Sequence, residues 1–168
     1  MSENKITTVN FNVDIKRYAT KQDLPSDYLI LLEEAYEAQT KAYAPYSNFK
    51  VGASLLLDNG EIVKGNNQEN AAYPSGLCAE RTAFFSYGAS GSDSKIKAVA
   101  VVAGSKDFTL EGILSPCGGC RQVMAEYEHK QNQKIEVILK SDSEEVYVIP
   151  SVADTLPFAF QCDFLKKD

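Results

Sequence analysis

Residues 98–103 read Ala-Val-Ala-Val-Val-Ala, apolar at every position, and no other stretch restricts the fold as tightly. A strand with one wet face alternates apolar and polar residues, so an unbroken run suits a central strand covered on both sides. Covering both sides takes helices, and helical patterns flank the run. Leu29, Leu32, Tyr36 and Tyr43 recur at helical spacing after Pro25, with Ser26 or Asp27 placed to cap the helix and Pro45 to stop it. Residues 78–87 hold good helix formers up to a stop at Gly88, and 117–131 read as a further helix. Val51, Ala53, Leu55 and Leu57 alternate as in a half-buried strand, and the turn Asp58-Asn59-Gly60 returns the chain as a partner strand at 61–64. Two more strands are expected at 135–139 and 146–149. A hairpin followed by helix, strand, helix and strand predicts an α/β fold in three layers, α/β/α, around a mixed sheet of about five strands.

A length of 168 residues fits one domain, expected over 26–168 with an extension at 1–25. In that extension Val9, Phe11, Val13 and Ile15 alternate with polar residues. An edge strand, an arm laid on another subunit and a partly ordered leader all fit this pattern. Seventeen basic against 23 acidic side chains give 17 − 23 = −6, which weighs against a nucleic-acid backbone as the main partner. No stretch approaches the roughly 20 apolar residues of a membrane helix. Met1-Ser2-Glu3-Asn4-Lys5 has no apolar signal core, so the reducing cytoplasm is the expected compartment. Cysteines there are more often ligands, catalytic groups or core residues than disulfides.

Three of the four cysteines fall in two motifs, Cys78-Ala79-Glu80 and Ser115-Pro116-Cys117-Gly118-Gly119-Cys120. Pro116 suits the first helical position, with Ser115 as its cap. Cys117 and Cys120, three apart on one helical turn, can point both sulfurs at one ion. Cys78 opens the other predicted helix, and a helix start favours the thiolate that binds metal. Three thiolates on zinc leave one tetrahedral position open, as in catalytic rather than structural sites. Glu80, two residues past a ligand, is placed to shuttle protons rather than to ligate. Each residue also has a plainer reading. Glu80 and Arg81 could be solvated helix charges, Asn67 and Glu69 turn residues, and Phe49 and Phe160 core aromatics. Cys162, with no partner motif, reads as a core or peripheral thiol, and His129 as a surface residue rather than a fourth ligand.

Together the two motifs resemble the cytidine deaminase family, whose zinc signature is a His or Cys, one residue, then Glu, followed by Pro-Cys-x-x-Cys. The resemblance extends to Tyr43-Ala44-Pro45-Tyr46-Ser47-Asn48-Phe49-Lys50-Val51-Gly52-Ala53 and to Gly65-Asn66-Asn67-Gln68-Glu69-Asn70-Ala71-Ala72-Tyr73. It continues through Cys78-Ala79-Glu80-Arg81-Thr82-Ala83 and Ser115-Pro116-Cys117-Gly118-Gly119-Cys120-Arg121-Gln122-Val123, covering about 27–165.

The resemblance implies hydrolytic deamination of free cytidine and deoxycytidine to uridine and deoxyuridine, with one zinc ion per subunit on Cys78, Cys117 and Cys120. It makes Glu80 the proton shuttle and Arg81 a donor to the ligand sulfurs. It places Phe49 and the Ala79 backbone against the base, and Asn67 and Glu69 at the ribose. Ala71, Tyr73 and Phe160 match positions that reach across subunit boundaries, as small three-cysteine members are homotetramers. A nucleotide, a polymeric nucleic acid or a modified nucleoside antibiotic are alternative substrates. A structural zinc module closed by Cys162 or His129 is an alternative of another kind.

Overall fold

The computed structural model describes residues 6–161. Cys162 lies outside them. A mixed sheet of six strands runs in the order β1 (Lys16–Tyr18), β6 (Val146–Ile149), β5 (Glu136–Lys140), β4 (Ile96–Ser105), β2 (Phe49–Leu57) and β3 (Ile62–Asn66). β4 and β5 pair parallel, and every other neighbouring pair is antiparallel. The extension contributes the sixth strand, beyond the five expected from sequence. It pairs at Lys16–Tyr18 and not in the alternating stretch at 9–15, which is exposed and outside any strand. β6 is four residues long, so its free edge has room for little more than the three pairs that β1 makes.

The apolar run behaves as its composition demands. Ala98, Ala100 and Val102 face one side, with Leu31, Leu32 and Ala35 of helix α1 (Ser26–Thr40). Val99 and Val101 face the other, with Ala83 and Phe84 of α2 (Ala79–Ser90) and Met124 of α3 (Gly118–Gln131). The layers are therefore α1, sheet, and the α2–α3 pair. β2 is also covered on both faces rather than one. Ala53, Leu55 and Leu57 join the α2–α3 side and Leu56 the α1 side, where Ser54 Oγ donates to the Leu31 carbonyl at 2.6 Å.

Several helix ends differ from expectation. Neither Ser26 nor Asp27 caps α1; Pro25 holds that place, and its carbonyl accepts from the Tyr28 and Leu29 N–H groups. α1 stops at Thr40, well before Pro45, because Tyr43 pairs with another strand end. Its N–H donates to the Asn67 carbonyl and its own carbonyl accepts from the Glu69 N–H. α2 runs through Gly88 and ends at Gly91, whose φ of 68° suits glycine. Gly88 serves packing instead, since a Cβ there would lie 2.3 Å from Tyr127 Oη on α3. α3 is capped by Cys117, so the expected Ser115 cap and Pro116 start fall just outside it.

Two devices seat the site-bearing helices. Gly65 on β3 lets α2 approach closely, as a Cβ there would lie 2.4 Å from the Ala83 nitrogen. Glu128, buried near the end of α3, accepts from Ile135 N, Ser151 Oγ, Val152 N and Ala153 N at 2.7–3.0 Å. One carboxylate thereby ties α3 to β5 and to the turn after β6.

Candidate metal and active site

α2 and α3 begin side by side, and each begins on a cysteine. Cys78 caps α2 and Cys117 caps α3, with Cys120 one turn further on. The three sulfurs lie within 4.8 Å of one another, with 4.0 Å from Cys78 to Cys117 and 3.4 Å from Cys117 to Cys120. Sulfurs sharing a tetrahedral zinc at Zn–S of about 2.3 Å stand about 3.8 Å apart, so the spacing fits the ion. Cys120 is buried, Cys78 partly exposed and Cys117 exposed, so the cluster opens to one side. His129 sits in the last turn of α3, about 13 Å along the axis from Cys120 by the helical rise, and does not join the group.

Hydrogen bonding and charge favour thiolate here. The Cys120 thiol bonding to Cys78 pulls the Cys78 pKa down to about 5 against the cost of burial, with the Arg81 guanidinium assisting. Cys120 moves the other way, since it keeps the shared proton and is buried. Arg81 Nη2 donates to Cys78 Sγ at 3.4 Å. Arg81 Nε is buried without a partner among the described residues, a further donor beside the sulfurs. The two helix starts add positive potential.

Glu80 is 5 % exposed, and burial pushes its carboxyl above the usual range, with the Cys78 thiolate adding to the rise. It lines a cavity of about 340 Å³ with Cys78, Cys117, Arg81, Phe49 and Asn67. Tyr73 lines it too and also borders a neighbouring cavity that holds Glu69, Tyr46 and Ser47. A carboxyl with raised proton affinity, at a cluster able to hold one metal ion, has the means to move protons during a hydrolytic step.

The other expected residues divide. Asn67 Oδ1 accepts from Val51 N at 2.8 Å and Nδ2 donates to the Phe49 carbonyl at 2.9 Å, so its amide holds the start of β2. One amide hydrogen and one lone pair remain for another group. Glu69 accepts from the Ser47 hydroxyl and from the Tyr46 and Ser47 N–H groups, which keeps its pKa low, the hydroxyl foremost. Ala79 is buried at the first turn of α2. Ala71 and Phe160 line neither cavity, and Phe160 is 62 % exposed. The sequence reading passed over Val101, Leu77 and Leu114 as cavity walls. Val101 was legible as apolar on β4, but which end of the strand meets the cavity depends on the register.

The fold and cluster define a class, an α/β/α scaffold that presents three cysteines able to hold one metal ion at paired helix starts. The chain belongs to the family of the cytidine and deoxycytidylate deaminase zinc-binding region, which matches residues 26–134. It is 47 % identical over 136 residues to a cytidine deaminase of Sporosarcina psychrophila, covering 81 % of this chain and 93 % of that one. A cytidine deaminase of Halalkalibacterium halodurans is 40 % identical, with 82 % and 96 % covered. The crystal structure of cytidine deaminase from Burkholderia pseudomallei superposes with a TM-score of 0.68 at 45 % identity, covering 78 % of this chain and 97 % of that one.

Proposed function

We propose that the protein hydrolyses free cytidine and deoxycytidine to uridine and deoxyuridine, releasing ammonia, as a cytoplasmic enzyme of pyrimidine salvage. The observation that carries this is the convergence of three thiols within 4.8 Å at the wall of a cavity that also holds a buried carboxyl. Relatives named cytidine deaminase, similar over nearly their whole length, support the substrate. A further support is charge. Arg81 is the one basic residue among the described residues lining the cavity, and it already bonds Cys78. The neighbouring Glu69 stays ionised. A phosphate group would find repulsion there, whereas neutral sugar hydroxyls find an acceptor.

In this reading Cys78, Cys117 and Cys120 hold one zinc ion per subunit. When bound, zinc supplies a Lewis acid that makes water nucleophilic near neutral pH. Glu80 takes a proton from the attacking water and passes it to the ring nitrogen of cytosine. As the carbon–nitrogen bond breaks, Glu80 delivers the second proton to the departing amine, so cytidine and water become uridine and ammonia. Its raised proton affinity suits both halves of that exchange. Phe49 packs against the base, with the Ala79 backbone holding its edge. Asn67 and Glu69 meet the ribose. Ala71, Tyr73 and Phe160 act across subunit boundaries of a homotetramer, with 26–168 as the catalytic domain and 1–25 as an extension.

Replacing Glu80 by Gln removes the shuttle while keeping the shape. Turnover of cytidine is expected to fall by about 10²–10⁴-fold with zinc content unchanged, read by steady-state rates and metal analysis. A variant as fast as wild type contradicts the assignment.

A further inference from the structure

Between β4 and Cys117 the chain makes an excursion over 106–114 that belongs to no helix or strand. Three side chains from neighbouring segments tie it down. Asn48 Nδ2 donates to Asp107 Oδ2 at 2.9 Å, near the start of the excursion. Further on, Asp142 Oδ2 accepts from the Leu110 N–H at 2.8 Å and Ser141 Oγ donates to the Gly112 carbonyl at 2.8 Å. Both of these anchors stand just after β5. Gly112 turns the chain with a φ of 81°, which favours glycine. The excursion then returns at Leu114, a wall of the cavity that holds Glu80 and Cys78. A segment fixed at its start, middle and end can hold a side chain in one place.

The side chain so held is Phe108. Phe49 opens β2, pairs with Ser105 of β4 and lines the cavity. Asn48 and Phe49 then meet Asp107 and Phe108 in step. The amide bonds the carboxylate, and the two rings lie within 14° of parallel with their centres 6.1 Å apart. That is offset stacking, inside the attractive range for aromatic pairs. Phe108 is 51 % exposed and is not itself a wall of the cavity. A residue so exposed adds little to the core, and its ring matters chiefly through the ring it covers. We propose that Phe108 is a positioning residue for the deamination. Its ring backs Phe49 and fixes that side chain before substrate arrives, so that binding need not order it. This rests on the reading that Phe49 packs against the base.

Phe108→Leu keeps apolar bulk and removes the ring. Steady-state kinetics on cytidine with the full-length, zinc-loaded protein are expected to show KM raised about threefold to tenfold, the size of an aromatic pair's coupling. We expect kcat to stay within about twofold, because Phe49 holds the base before and during the reaction alike. Phe108→Tyr keeps the stack and should have a wild-type KM. Zinc content should match wild type in both variants. A merely structural role would move thermal stability and leave KM where it was.

Phe49→Leu tests the underlying reading separately. It should raise KM at least as much as Phe108→Leu, and the double variant should be no worse than Phe49→Leu alone, because Phe108 acts only through Phe49. If Phe49→Leu raises KM while Phe108→Leu does not, or if the two effects add, the backing role is overturned and the reading of Phe49 stands. If Phe49→Leu has a wild-type KM, that reading falls and the backing role with it. Should Phe108→Leu not fold, Asp107→Ala removes the bond to Asn48 beside the stack. A rise in KM in that variant supports the backing role, and an unchanged KM overturns it.

Discussion

Arg81 shows how one side chain can support the proton state of a thiol cluster. Beside the Cys120 thiol, whose hydrogen bond does most to lower the Cys78 pKa to about 5, the Arg81 guanidinium 3.4 Å from Cys78 Sγ assists. A thiol binds metal as thiolate, so a lowered pKa preserves binding as the pH falls. Arg81→Ala returns Cys78 toward ordinary thiol behaviour, and the pH at which half the zinc is lost should therefore move upward, with reduced turnover at neutral pH. Metal analysis across a pH series checks this, and an unshifted profile with normal turnover contradicts it. The cysteines themselves were legible in the sequence, because a Cys-x-x-Cys step is a local fact of one helical turn. The wiring around them was not. Arg81 reads by default as a solvated charge, although its place three residues after Cys78 on the first turn of α2 puts its guanidinium within reach of that sulfur. Asn67 reads as a turn residue or sugar contact, yet its amide is engaged with Phe49 and Val51, residues well separated from it along the chain.

At the scale of elements, the site depends on how closely α2 lies on the sheet. A Cβ at Gly65 would lie 2.4 Å from Ala83 N and 2.5 Å from the Ala79 carbonyl, both backbone atoms that cannot swing away. Gly65→Ala should push α2 outward and cost about 1–3 kcal/mol. That corresponds to a melting temperature lower by about 2–12 °C for a chain of this size. Because α2 starts on Cys78, zinc retention should fall as well. Calorimetry and metal analysis on the same variant test both effects, and wild-type values in both contradict the account. Gly88→Ala should be milder, as its nearest contact is the mobile end of Tyr127. The elements were largely legible, since period and turn chemistry are local. Their ends were not. α1 yields to Tyr43 joining the strand bridge near Glu69, and α2 continues through Gly88 because packing against α3 needs a small residue there. Cys117 caps its helix with a sulfur, a role that propensity assigned to Ser115.

The whole molecule presents several large apolar side chains to solvent in a single copy, among them Tyr73 at 77 % and Phe158 at 82 % exposed. Apolar side chains exposed in this way mark an interaction surface where they are contiguous. Phe158 already meets Phe11 of the extension edge to face, 5.1 Å between ring centres, so the extension and the tail share one surface. Light scattering on the zinc-loaded protein should give a four-chain particle, and a fully active monomer would contradict the assignment of Phe160 to a neighbouring site. The layer order was readable from the apolar run on β4, which needed cover on both faces. The sixth strand was not, because three residues at an edge carry too little pattern. The net charge of −6 fits an enzyme for small uncharged nucleosides. The most direct test of the account follows the ultraviolet spectrum of cytidine in the presence of protein whose zinc content is measured on the same sample. Conversion to uridine should be complete, and the rate should rise in proportion to zinc up to one ion per chain. A fully zinc-loaded protein that leaves the cytidine spectrum unchanged over hours contradicts the central claim.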